Sequence, residues 1–142
     1  MKLESALSLA ADPNTHLHSH PHPASPCLPL GRHLIADFQG CLAAVLSDPT
    51  LIEQAMLKAA LAGQATVLQQ HFHHFGVGQG VTGMLLLMES HISIHTWPEH
   101  GYAAIDLFMC GAANADAALS VLAQALQPQQ QTQQVLVRGV SS

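Results

Sequence analysis

Residues 88–100, MESHISIHTWPEH, place two glutamates, two serines, three histidines and the only tryptophan of the chain within one short stretch. Three kinds of chemistry use such a set. The first is metal ligation by His91, His95 and His100, with His71, His73 and His74 as further donors. Ile92 and Ile94 alternate with His91, Ser93 and His95, however, and period two marks a strand. On a strand His91 and His95 share a face but stand about 13 Å apart at ~3.3 Å per residue. Zn–N bonds of about 2.0–2.1 Å do not span that gap, and no metal site is expected. The second is a serine hydrolase. Ser90 has no flanking glycine, so it is not the nucleophile of a G-x-S-x-G elbow. The third is the Glu89–Ser90 peptide bond itself, beside a histidine five residues on.

The elements that position this stretch follow from periodicity. In GRHLIADFQGC, Leu34, Ala36 and Phe38 alternate with His33, Ile35 and Asp37, a strand. SDPTLIEQAMLKAALAG reads as a helix, with Asp48 as its cap, Pro49 in its first turn and Gly63 at its end. Leu51, Ile52, Ala55, Met56 and Ala59 recur at helical spacing. ATVLQQHFHHF is a strand, GVGQG a turn, and VTGMLLLMES and HISIHTW are two more strands. GYAAIDLFMCG is another. NADAALSVLAQALQ is a second helix, capped by Asn114 with Pro128 beyond it, and QQVLVRG is a short final strand. Strands interrupted by two helices predict an α+β domain: a two-layer sandwich of a mostly antiparallel sheet with both helices on one face.

Composition bounds the function. One domain is expected at 142 residues. Charged residues are 9% against about a quarter in ordinary domains, which leaves surface for a subunit interface. Four Lys+Arg and a net charge of −5 argue against nucleic acid, and no apolar run reaches the ~18 residues that span a bilayer. The start, MKLESALSLAADP, is a poor secretion signal because Glu4 and two serines interrupt its apolar region. Cys27, Cys41 and Cys110 form no C-x-x-C pair, which points to a reducing, cytoplasmic compartment. Residues 1–29, rich in proline with alternating His16, His18, His20 and His22, read as a disordered extension with weak metal affinity at most. The folded domain is expected over 30–142.

ESHISIHTWPEHGYAAIDLFMCG resembles the self-processing segment of the short-chain S-adenosylmethionine decarboxylases of bacteria and archaea. LGRHLIADFQGC, DPTLIEQAMLKAALAGQATVL, FHHF, GVTG and VLVRG follow the family order, so the resemblance covers roughly 30–139. It implies a proenzyme cut between Glu89 and Ser90, giving a β chain ending at 89 and an α chain starting at 90. Ser90 becomes a covalent pyruvoyl group that forms a Schiff base with the substrate and acts as the electron sink of decarboxylation. By the same resemblance His95 is the processing base, Cys110 the proton donor of turnover and Thr82 a processing hydroxyl. Glu99 binds the ribose hydroxyls, Phe75 stacks on adenine and Trp97 lines the site. The substrate implied is S-adenosylmethionine, decarboxylated to the aminopropyl donor of spermidine synthesis; the rival is a pyruvoyl-dependent arginine or ornithine decarboxylase on the same scaffold. A homo-oligomer is implied, with a dimer favoured and active sites at or near its interface.

Two departures from the family pattern stand out. GVT places Thr82 where the family usually has serine, and FGVGQGVT lacks the usual proline and is one residue longer. Ser90 and His95 also have opposite parity on a straight strand. Either the chain bends at the cleavage site or the free end swings after cleavage.

Overall fold

The computed structural model describes residues 28–139; the His-rich tract and Cys27 lie outside them. The chain runs β1 (Gly31–Gln39), α1 (Ala43–Leu46), α2 (Pro49–Ala62), β2 (Val67–His74), β3 (Val81–Leu87), β4 (Ser90–Trp97), a 3₁₀ turn (Pro98–His100), β5 (Tyr102–Cys110), α3 (Ala115–Leu126) and β6 (Gln130–Arg138). The strands form one sheet in the order β2-β3-β4-β5-β1-β6, antiparallel throughout. With α2 and α3 packed against each other and the sheet, this is the expected α+β sandwich. Among the described residues no helix is long and apolar enough to cross a membrane.

Local chemistry sets the helix ends. The Asp48 carboxylate accepts from the backbone N–H of Thr50 and Leu51, and Pro49 takes the first helical position, where a missing N–H costs nothing. Asn114 caps α3 by accepting from Ala117 N–H. Gly63 ends α2 as expected, and the left-handed residue is the next one, Gln64 (φ 56°). Gly63 also lets the two helix ends touch: a Cβ there would lie 3.0 Å from the Asn114 carbonyl oxygen, and the Asn114 N–H donates to Gly63 O at 2.8 Å. The last strand starts earlier than its apolar residues indicate, because Gln130 already pairs with Gln39. Ladder hydrogen bonds do not need an apolar side chain.

Alternation divides the sheet into two faces. Leu34, Ala36 and Phe38, Leu85 and Leu87, Ile92 and Ile94, and Ala103, Ile105, Leu107 and Met109 are buried toward the helices. The other face carries His33, Ile35, Asp37, Met84, Leu86, His91, His95, Asp106, Phe108 and Leu136, and no element of the described chain covers it. Ile35, Met84, Leu86 and Leu136 are 38–48% exposed there. A sheet face that leaves several large apolar side chains open among its polar ones usually meets another layer.

Thr96 joins the layers. Its buried hydroxyl accepts from Val81 N–H and donates to Leu46 O, each at 2.8 Å, tying β4, β3 and α1 together. Gly80 must lack a side chain for this, since a Cβ would collide with the Thr96 carbonyl oxygen. Thr96→Val orphans both backbone groups in the core, a loss of about 2 kcal/mol or more and a fall in Tm of roughly 5 °C or more. Thr96→Ser keeps the hydroxyl and should lose less than half as much. Calorimetry of both variants checks this; a valine variant as stable as wild type would contradict the role.

Candidate active site

The predicted site residues fall into two clusters at opposite ends of β4. The first surrounds the Glu89–Ser90 bond. Met88 and Glu89 form the tight turn between β3 and β4, with Leu87 paired to Ser90. Ser90 has φ 143°, a conformation that a residue with a Cβ adopts only when its surroundings enforce it. Register alone would send its side chain to the helix face beside its partner Met109. Instead its hydroxyl oxygen lies 3.5 Å from Cys110 Sγ. The chain therefore bends at the predicted cleavage site, which answers the parity conflict between Ser90 and His95. The backbone N–H of Cys110 donates to the carbonyl oxygen of Glu89 at 3.1 Å. Gly31 opens the space for this thiol: a Cβ at Gly31 would stand 2.9 Å from Cys110 Sγ and 2.7 Å from the Phe108 ring.

The turn is also held from the other side. Glu89 Oε2 accepts from Thr66 N–H at 2.8 Å, and Oε1 accepts from the Thr66 hydroxyl at 3.3 Å. Met88 N–H donates to Thr66 O at 2.9 Å. The backbone bond from Thr66 is the main reason the Glu89 carboxyl sits below the usual range for a glutamate.

The second cluster lies where β3 begins and β4 ends. Thr82 and His95 are register partners, and the Thr82 hydroxyl is 3.0 Å from His95 Nδ1. They open into a cleft of about 320 Å³ whose walls include Phe75, Gln79, Trp97 and Glu99. The long FGVGQG turn closes on itself through Phe75 N–H to Gly80 O at 3.1 Å. It leaves Phe75 62% exposed at the cleft, with its ring edge-on to His73 at 4.7 Å. Trp97 lies 5.3 Å from the Tyr102 ring. The Tyr102 hydroxyl donates to Asp37 at 2.6 Å, a bond that pushes the phenol up to about 12 and keeps it a donor.

The structure thus brings Ser90 together with Cys110 and Glu89, and His95 together with Thr82, Trp97, Glu99 and Phe75. It does not bring His95 to Ser90 within one chain. Five residues of strand separate them, about 16 Å at ~3.3 Å per residue.

A third group escaped sequence reading. His33 and His91 flank Phe108 across the sheet, and both direct Nε2 at Asp106 Oδ1, at 2.6 and 3.1 Å. Three metal-ligating atoms lie within 4.8 Å of one another here. Arg138 Nη1, however, is 3.1 Å from His33 Nδ1, and a guanidinium only donates. Nδ1 therefore accepts and Nε2 carries the proton toward Asp106, so the group is organised as a hydrogen-bond network. The signal was strand register, which a linear reading lacks; Thr66 and Gly31 were missed for the same reason.

The family model described as S-adenosylmethionine decarboxylase matches residues 32–139. An S-adenosylmethionine decarboxylase proenzyme of Caldanaerobacter subterraneus subsp. tengcongensis is 43% identical over 112 residues, covering 78% of this chain and 90% of that protein. The proenzyme of the same name from Thermotoga petrophila is 54% identical over 82 residues. That match spans 58% of this chain and only 62% of the relative's length. The crystal structure of the adenosylmethionine decarboxylase from Aquifex aeolicus VF5 superposes with a TM-score of 0.75 at 35% identity, over 81% of this chain and 95% of the other. The chain belongs to the S-adenosylmethionine decarboxylase family.

Proposed function

We propose that this chain is a proenzyme that cuts itself between Glu89 and Ser90 and then decarboxylates S-adenosylmethionine. The observation that carries the reading is the Ser90 turn: a backbone bent to φ 143° at the residue that must attack, with the preceding carbonyl held by Cys110 N–H. The Ser90 hydroxyl adds to the Glu89 carbonyl carbon. Cys110 N–H then receives the developing oxyanion, the role of an oxyanion-hole donor. The C–N bond breaks, Ser90 nitrogen takes up the proton, and the peptide becomes an ester. A base removes the Ser90 Cα proton, and the ester C–O bond breaks by β-elimination. Glu89 leaves as a carboxylate, and water displaces ammonia from the dehydroalanine that remains. The domain of residues 30–142 is thereby divided into a β chain ending at 89 and an α chain starting at 90.

The residues around Ser90 fit a pyruvoyl group: the side-chain-free Gly31 leaves room for the Cys110 thiol, and Cys110 Sγ stands at hydrogen-bond distance for sulfur from the Ser90 hydroxyl. That group supplies an electrophilic ketone for the substrate amine and a sink for the electron pair left by carbon dioxide. Cys110 returns a proton to the carbon. In the cleft, Glu99 accepts from ribose hydroxyls, Phe75 offers its ring face to adenine, and Trp97 lines the site.

His95 is the base with the right chemistry, since histidine exchanges protons near neutral pH. Its ~16 Å separation from Ser90 along β4 makes a second copy necessary. Two chains that pack their open sheet faces in opposite directions bring Thr82 and His95 of one against Ser90 and Cys110 of the other. Such a dimer also covers Ile35, Met84, Leu86 and Leu136. Its setting is the cytoplasm, where Cys110 stays a thiol.

Denaturing mass spectrometry of purified protein should show two fragments divided after Glu89, and Ser90→Ala should stay whole. A wild type that remains one chain would sink the processing mechanism. Carbon dioxide release should favour S-adenosylmethionine over arginine and ornithine, and Glu99→Gln should raise KM about tenfold or more without stopping cleavage. Preference for arginine or ornithine would assign a different substrate.

A further inference from the structure

We infer that Thr66, in the connection between α2 and β2, is a positioning residue for the cleavage reaction, acting through the Glu89 side chain. This rests on the self-processing reading above. Three groups of Thr66 hold the turn: its N–H and hydroxyl both donate to the Glu89 carboxylate, and its carbonyl accepts from Met88 N–H. Glu89 is the residue whose own carbonyl is attacked, and that carbonyl oxygen is fixed separately by Cys110 N–H. The acyl carbon is therefore anchored through its side chain on one side and its oxygen on the other. A residue with a Cβ stays at φ 143° only where contacts overdetermine it, and a hairpin tip is otherwise the most easily relaxed part of a sheet. Released from Thr66, the tip can return Ser90 to ordinary strand geometry and carry its hydroxyl toward the helix face, away from Cys110. After cleavage the same bonds retain Glu89, now a chain terminus, beside the residue derived from Ser90.

The alternative is that Thr66 merely ties a loop down, and rates separate the two. Cleavage of the full chain is followed by denaturing mass spectrometry after pulsed cell-free synthesis, with Tm read on the same substitutions in the uncleaved Ser90→Ala background. Thr66→Ala should slow cleavage roughly three- to tenfold, the range of one lost hydrogen bond. Thr66→Ser, which keeps both donors, should recover the rate to within about twofold. Glu89→Leu should slow cleavage at least as much as Thr66→Ala, and the two together should be no slower than Glu89→Leu alone. Thr66→Ala cleaving at the wild-type rate, or slowing cleavage equally with and without Glu89, overturns the role while wild-type cleavage stands. A slowing that tracks the loss of Tm and is not recovered by serine overturns it too. A wild type that never cleaves overturns the processing reading and this role together.

Discussion

The hydrogen bond from Cys110 N–H to the Glu89 carbonyl is the constraint on which the site depends. It fastens the tip of the β3–β4 hairpin to the end of β5, one strand over. The fastening keeps Ser90 in a backbone conformation that an unconstrained strand residue would leave. The same cysteine presents its thiol to the serine hydroxyl. One residue thus contributes a backbone donor to the proposed bond cleavage and a side-chain proton to the proposed turnover. Gly31, across the ladder from Cys110, makes that double use sterically possible.

The second constraint is strand geometry. A strand is stiff and long, so residues at its two ends cannot meet in one chain. β4 carries Ser90 at one end and His95 at the other, and the cleft with Phe75, Trp97 and Glu99 lies at the His95 end. The proposed dimer buries the open sheet face against a second copy, which removes apolar surface from water and completes two sites. The acidic groups of that face already have partners, Asp106 in His33 and His91 and Asp37 in the Tyr102 hydroxyl, which lowers the cost of covering them.

Much of this was legible in the sequence. Alternation gave the strands, and Asp48, Pro49 and Asn114 marked the helix starts because capping is local chemistry. Ser90, His95, Cys110 and Glu99 stood out within one contiguous motif. The remaining features depend on register. His33 and Asp106 are far apart in sequence and adjacent across β1 and β5, and Thr66 meets Glu89 only once α2 has folded back on the sheet. Gly63 ends α2 as its position indicated, while its second use, giving room to the Asn114 carbonyl, depends on the packing of the two helix ends. The parity of Ser90 and His95 posed a question that the sequence could state but not answer; it took a backbone dihedral to do so.

Complementation between two inactive chains tests the shared site most directly. A tagged Ser90→Ala chain cannot be cut but carries an intact His95, and a His95→Ala chain has an intact Ser90 but no base to offer. Each alone should remain at full-length mass. When the two are synthesised together, the His95→Ala chain should be cleaved after Glu89 while the Ser90→Ala chain stays whole. Mixed dimers that leave the His95→Ala chain uncut would contradict a site assembled from two copies.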